Sequence, residues 1–214
     1  LQRQPDPVMG VLEWSDFMQA MSIVCWVPKE PRPELPVALL GDALDTADGT
    51  DFMDVQLVVL LLILFFSFAR SETPLPKNFT GAESFDPLQH LRVCDVQDTQ
   101  LDDGQWALRV RLKIIKQDSK MERAGAAAGE DWVYIGDAPG VFSVRMWLTR
   151  LWRLWPEGRR DQDPFFLHPD RVRAWRYGDA LDAMRELLAR VVDLALAEKF
   201  GLHSVRVAGW NTAK

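Results

Sequence analysis

The chain contains a run, VQLVVLLLILFFSFA at residues 55–69, in which Gln56 and Ser67 are the only polar positions. A helix of this composition has no solvated stripe, so it cannot lie on a protein surface as an amphipathic helix does. Only two environments accept it, a protein interior and a lipid bilayer. A bilayer core demands roughly 20 apolar residues, and Asp51, Asp54 and Arg70 close this run off too early. The run therefore reads as a helix buried on all sides. A membrane-attached protein built on residues 55–69 is the competing case, and it predicts detergent dependence.

A buried helix needs a domain around it, and 214 residues, 48% of them hydrophobic, are enough to supply one. That composition excludes disorder as the dominant state. Residues 8–27 are apolar enough for one helix, and the prolines of PKEPRPELP make residues 28–33 a linker. The chain opens at Leu1 with no cationic and apolar leader. Residues 1–28 are accordingly expected to be the tail of a missing N-terminal domain, with residues 29–214 as the main domain. A short helix is expected over 36–44. An acidic loop over 42–54 then leads into the buried helix, which Pro74 and Pro76 terminate near Arg70.

Three segments rich in β-branched and aromatic residues, 91–96, 106–115 and 132–135, predict a small antiparallel sheet. Val144, Trp147, Leu148, Leu151, Leu154 and Trp155 then recur at helical spacing, with Arg145, Arg150 and Arg153 among them. Leu181, Met184, Leu188, Val191, Val192 and Ala195 repeat the pattern, under a cap at Asp179 and with Gly201 as the stop. The fold class is α+β, mainly helical, with a three-stranded antiparallel sheet.

The net charge of −6 hides a segregation. Residues 109–123 hold six basic side chains against two acidic ones, and residues 145–176 hold eight arginines against four acids. Residues 29–54 reverse the balance, with two bases and seven acids. A chain that touches nucleic-acid phosphates needs such basic stretches, because phosphate neutralisation supplies most non-specific affinity; a solvated helix face is the alternative reading. Cys25 and Cys94 can make neither a disulfide framework nor a metal site with partners at ligand spacing.

Phosphodiester chemistry requires fixed positive charge around the phosphate and a proton donor near the leaving oxygen. Arg70, at the end of the buried helix, would place a guanidinium at the edge of a dry core; capping that helix is its structural alternative. Lys116 ends a strand and enters a long turn, 117–129, with Lys113 as the competing lysine. His203 and Arg206 are three apart and share a face if their segment is helical. A histidine passes protons near neutral pH, and an arginine holds its charge. His90 and His168 form no metal cluster with His203 that spacing reveals, and Asn78-Phe79-Thr80 is a glycosylation sequon in form only.

In this order the pieces resemble the catalytic domain of tyrosine recombinases, the phage-integrase family, over residues 32–214. FFSFARSETP matches the family's apolar helix ending in Arg-Ser-Glu, at Arg70, Ser71 and Glu72. VRLKIIKQDSK before DWVYIGD offers Lys116 as the lysine between the second and third strands, and GLHSVRVAGWNTA carries the His-x-x-Arg box at His203 and Arg206. The long turn after the second strand and the valine after Arg206 resemble the eukaryotic mobile-element branch. Thr73-Pro74 departs from the leucine that commonly follows Ser-Glu. The family's nucleophilic tyrosine, and a further His or Trp, follow the His-x-x-Arg box, so Tyr134 and Tyr177 do not match it, and Trp210 sits too close to Arg206 to be the third-box residue.

The resemblance implies that residues 29–214 are a C-terminally incomplete catalytic domain, and that residues 1–28 belong to a core-binding-like domain. It implies strand breakage and rejoining in double-stranded DNA through a 3′-phosphotyrosine intermediate, with no metal or other cofactor. Arg70 and Arg206 would clamp the non-bridging oxygens, Lys116 would protonate the departing 5′ oxygen, and His203 would relay protons or orient the phosphate. A homotetramer on DNA is implied, with no membrane, in an intracellular, DNA-associated location, the nucleus if the source is eukaryotic. The chain alone is then expected to bind DNA without cutting it. The alternative is a non-catalytic DNA-binding or helical interaction domain derived from a mobile element.

Overall fold

Helix α2, Phe52–Ser67, is the axis about which the domain is built. A computed structural model of the chain describes residues 33–71, 73–112 and 132–213, all of which fall within one compact unit, Arg32–Lys214. Asp51 starts α2 by accepting hydrogen bonds from the amides of Met53 and Asp54 at 2.8 and 2.9 Å, as an N-cap carboxylate does. Val55 and every residue from Leu57 to Phe65 are buried, so the helix is enclosed by protein around its whole circumference. At 1.5 Å per residue its sixteen positions span about 24 Å. Among the described residues, no helix is long and apolar enough to cross a membrane.

The buried Gln56 is the polar exception within α2, and its amide is fully used. It donates to the Leu167 carbonyl at 2.6 Å and accepts from the Leu167 amide at 3.0 Å, which pairs the backbone of a segment that passes through the core. The other five helices among the described residues are α1 (Val37–Asp45), α3 (Val144–Leu154), α4 (Tyr177–Ala189), α5 (Leu194–Ala197) and α6 (Leu202–Thr212). Helices α6 and α3 pack most extensively on α2.

The sheet is antiparallel in the order β1 (Val96–Gln100), β2 (Trp106–Arg111), β3 (Trp132–Gly136). Val96 pairs with Val110 and Leu108 with Ile135, and these four face the core. Gly104, at φ +80°, turns the first hairpin, a conformation that favours glycine. The expected class, α+β with helices predominating and a small antiparallel sheet, is the observed one.

Several local expectations are corrected. Residues 91–95 do not form the first strand: the amides of Val93 and Cys94 bond the carbonyls of Asp163 and Asp161, and the Phe165 amide bonds Leu91. The buried Asp95 binds the Arg92 side chain through two hydrogen bonds of 2.8 Å. Helix α2 ends at Ser67, ahead of the prolines, because Phe68 adopts a left-handed conformation at φ 52°. The acidic loop is shorter than 42–54, since Asp42 and Asp45 lie in α1. The expected helix through Ala195 is broken in two: α4 begins at Tyr177, with Asp179 in its first turn paired to Arg176, and Asp193 caps a separate α5 by accepting from the Leu196 amide. Gly201 stops nothing; it is the N-cap of α6. The linker apart from Pro33, the helix over 8–27, Cys25, residues 113–115 of the second segment, the turn 117–129, and Lys113, Lys116 and Glu72 lie outside the described residues.

Candidate functional site

The final segment is helical, which places His203 and Arg206 one turn apart near the start of α6. Ser204 fastens this start by accepting a hydrogen bond from the Gly201 amide at 3.3 Å. Leu202, Ser204, Val205, Ala208 and Gly209 form the buried face, leaving His203 exposed and Arg206 half-buried.

Gly209 sets how closely α6 meets α2. A Cβ at this position would overlap the Phe65 carbonyl oxygen and lie 2.8 Å from the carbonyl carbon. The two backbones are therefore in direct contact, an approach only glycine permits. One residue further, Trp210 meets the Phe68 ring edge-on with centroids 5.6 Å apart. Arg206 precedes Trp210 by one helical turn, and Arg70 follows Phe68 by two residues, so the segments bearing the two arginines meet at one corner of the domain.

Arg70 is not part of the helix that leads to it. After Phe68, Ala69 is buried, and the Arg70 carbonyl accepts from the Thr73 amide at 2.8 Å in a tight turn. The loop is held further along by Leu75, which is buried, and by the Pro76 carbonyl, which accepts from the Tyr177 amide at 2.9 Å. Capping of α2 by Arg70 is thus replaced by an anchored turn that carries the half-buried Arg70.

Among the described residues, neither Arg70 nor Arg206 has a carboxylate partner. Three other arginines are paired: Arg92 with Asp95, Arg176 with Asp179 and Arg190 with Asp54, each at 2.5–2.8 Å. A partly desolvated cation without a counter-ion costs free energy unless a ligand supplies the negative charge. His203 lies to one side of this corner. It lines a groove of about 430 Å³ with Pro33, Glu34, Ser204 and Val207, where Asn211 donates to the Glu34 carboxylate at 2.6 Å.

Tyr134 is 52% exposed on β3, and Tyr177 packs against the core at the start of α4. Among the described residues, no group of three or more His, Cys, Asp or Glu side chains is arranged to hold a metal. His90 is buried, and its Nδ1 accepts from the Asp86 amide at 2.9 Å. His168 stands between Asp170 and the Phe79 ring.

Residues that sequence reasoning passed over are Phe68 and Gly209, whose contacts bring the two arginine segments together. A glycine in a helical pattern is a signal of close approach, but its partner, Phe65, lies 144 residues earlier in the chain. No protein-family model, curated protein or solved structure matches this chain.

Proposed function

We propose that this chain is the catalytic core of a DNA strand-transfer enzyme of the tyrosine-recombinase class. The observation that carries the reading is the corner itself: two half-buried arginines, 136 positions apart in sequence, without counter-ions among the described residues, on elements locked together at Gly209 and Phe65. Such a pair suits the two non-bridging oxygens of a phosphodiester, whose charge grows in the transition state. Further support comes from the order of the elements, since an apolar helix ahead of Arg70, an antiparallel 1-2-3 sheet and a later helix opening on His203 and Arg206 resemble the family's arrangement.

In this reading the nucleophile is a tyrosine other than Tyr134 and Tyr177; its hydroxyl oxygen attacks phosphorus and releases its proton to solvent, the bond to the 5′ oxygen breaks, and Lys116 supplies that oxygen with a proton. His203, exposed beside Arg206, exchanges protons with solvent or orients the phosphate. Double-stranded DNA is the substrate and a DNA-bound tetramer the working form.

The test uses the full-length protein on a nicked duplex that traps the covalent intermediate. Arg70→Ala and Arg206→Ala should each abolish the protein–DNA adduct while most DNA affinity remains. An adduct that persists in both variants, or wild-type protein that binds DNA and never forms one, overturns the proposal; the second result favours a non-catalytic DNA-binding domain.

A further inference from the structure

We infer that the outer face of α3 is a second phosphate-binding surface, a strip that grips the sugar-phosphate backbone of duplex DNA away from the Arg70–Arg206 corner. The inference rests on the reading of the chain as a DNA-acting protein and adds a site that the catalytic boxes do not include.

Helix α3 reads VRMWLTRLWRL, with three arginines and no acid. Its inner face is Val144, Trp147, Leu148 and Leu151, all buried. Arg145, Thr149 and Arg153 follow one another at four-residue intervals on the opposite face, about 6 Å apart along the axis, and all three are exposed. Arg150 lies beside them, and a single groove of about 380 Å³ is lined by all three arginines together with Ser143, Thr149 and Asp137.

A merely solvated helix face interleaves acids with bases so that i,i+4 pairs form. Helix α4, by contrast, carries the acids Asp179, Asp182 and Glu186, Asp179 is paired with Arg176, and its one arginine, Arg185, is spent on the Phe200 and Glu198 carbonyls. The α3 arginines have no carboxylate partner among the described residues. The one acid in the groove, Asp137, is occupied: its carboxylate accepts from the Ser143 hydroxyl at 2.9 Å and the Arg145 amide at 3.1 Å. Two of the guanidiniums are also ordered in advance, Arg145 over the Trp106 ring at 5.8 Å and Arg150 over Trp147 at 4.6 Å. Stacking of this kind leaves the N–H groups at the guanidinium edge free to donate while lowering the entropy lost on binding.

The occupant must then be a polyanion with evenly spaced charge and oxygen acceptors. A DNA backbone meets this description, with one charge per 1.7 Å of duplex axis. An acidic protein segment would bring carboxylates without that regular spacing.

The experiment measures binding of the full-length protein to a short duplex of arbitrary sequence over a salt series. Arg145→Gln/Arg153→Gln should lower the slope of log K against log salt by about 1.8, from about 0.9 per phosphate contact. Arg145→Lys/Arg153→Lys should restore most of it, and thermal melts should show both variants folded. An unchanged slope in the glutamine variant overturns the strip and leaves the recombinase reading standing. A lowered slope in a protein whose wild type never forms the covalent adduct supports the strip and overturns that reading. Poly-glutamate bound through these arginines as tightly as duplex at equal salt identifies an acidic protein as the occupant and overturns the strip, and wild-type protein that binds no duplex overturns both.

Discussion

Helices α3 and α6 have eleven residues each and pack on the same partner, yet they are held in opposite ways. Helix α6 reaches α2 through a missing side chain, with Gly209 resting on the Phe65 backbone, whereas α3 reaches it through large ones, Trp147, Leu148 and Leu151. Backbone contact leaves no room for adjustment, so it fixes the helix that carries His203 and Arg206. Side-chain packing leaves the far face of α3 unconstrained, so that face is free to carry charge. Position is enforced where the proposed chemistry needs precision, and charge is concentrated where a diffuse polyanion would settle.

The sharpest way to break this contrast is Gly209→Val. Two methyl groups have nowhere to go against a carbonyl, and overpacking should cost about 4 kcal/mol or more by chemical denaturation. A loss below about 1 kcal/mol would mean that the helices can slide apart. Leu151→Ala on α3 should cost somewhat less, about 3 kcal/mol, since it leaves a cavity that neighbouring side chains partly fill.

Arg206→Ala probes the same helix from its polar side. Trapped-adduct formation should fall about a hundredfold or more, while stability stays within about 0.5 kcal/mol because the side chain has no carboxylate partner among the described residues. A large loss of stability would give Arg206 a structural role instead.

Arg190 sharpens the comparison from the paired side. Burial pushes the Asp54 carboxyl up, but hydrogen bonds from Arg190 at 2.6 and 2.9 Å and from the Asp48 amide outweigh it and hold the group below its ordinary range. A depressed carboxyl stabilises the fold above the unfolded value, about 4, and that contribution is lost as pH falls through the folded value. Asp54→Asn should therefore make urea midpoints less dependent on pH below about 4; an unaltered acid limb would show that the pair contributes nothing. The smallest effect belongs to Arg145→Gln on α3, which has no ion pair among the described residues to break: stability should be nearly unchanged, a shift of about 0.5 kcal/mol or less in a thermal melt.

Much of the framework was legible because its signals are local. The apolar run at 55–69 announces an enclosed helix whatever surrounds it, and the β-branched and aromatic residues at 106–111 and 132–135 announce two strands of the sheet. The strand expected at 91–96 failed because its backbone pairs with residues 161–165, a partner 70 positions away that β-propensity cannot see. Gly201 was misassigned for a different reason: glycine occurs at both ends of helices, and the choice depends on which neighbour packs. For the candidate site, the types and order of Arg70, His203 and Arg206 could be read directly. Which of them meet, and on which side of α6 each lies, could not.

Sequence by itself determined that one helix must be enclosed, that a small antiparallel sheet follows, and that basic residues crowd two stretches of the chain, since each property depends on neighbours a few positions apart. Tertiary structure alone decided that Gly209 lies on the Phe65 carbonyl, that Asp95 is spent on Arg92 and Asp54 on Arg190, and that Arg70, Arg206 and the α3 arginines have no counter-ion among the described residues. Charge pairing is a matter of distance in space, and a chain's local pattern does not contain that distance.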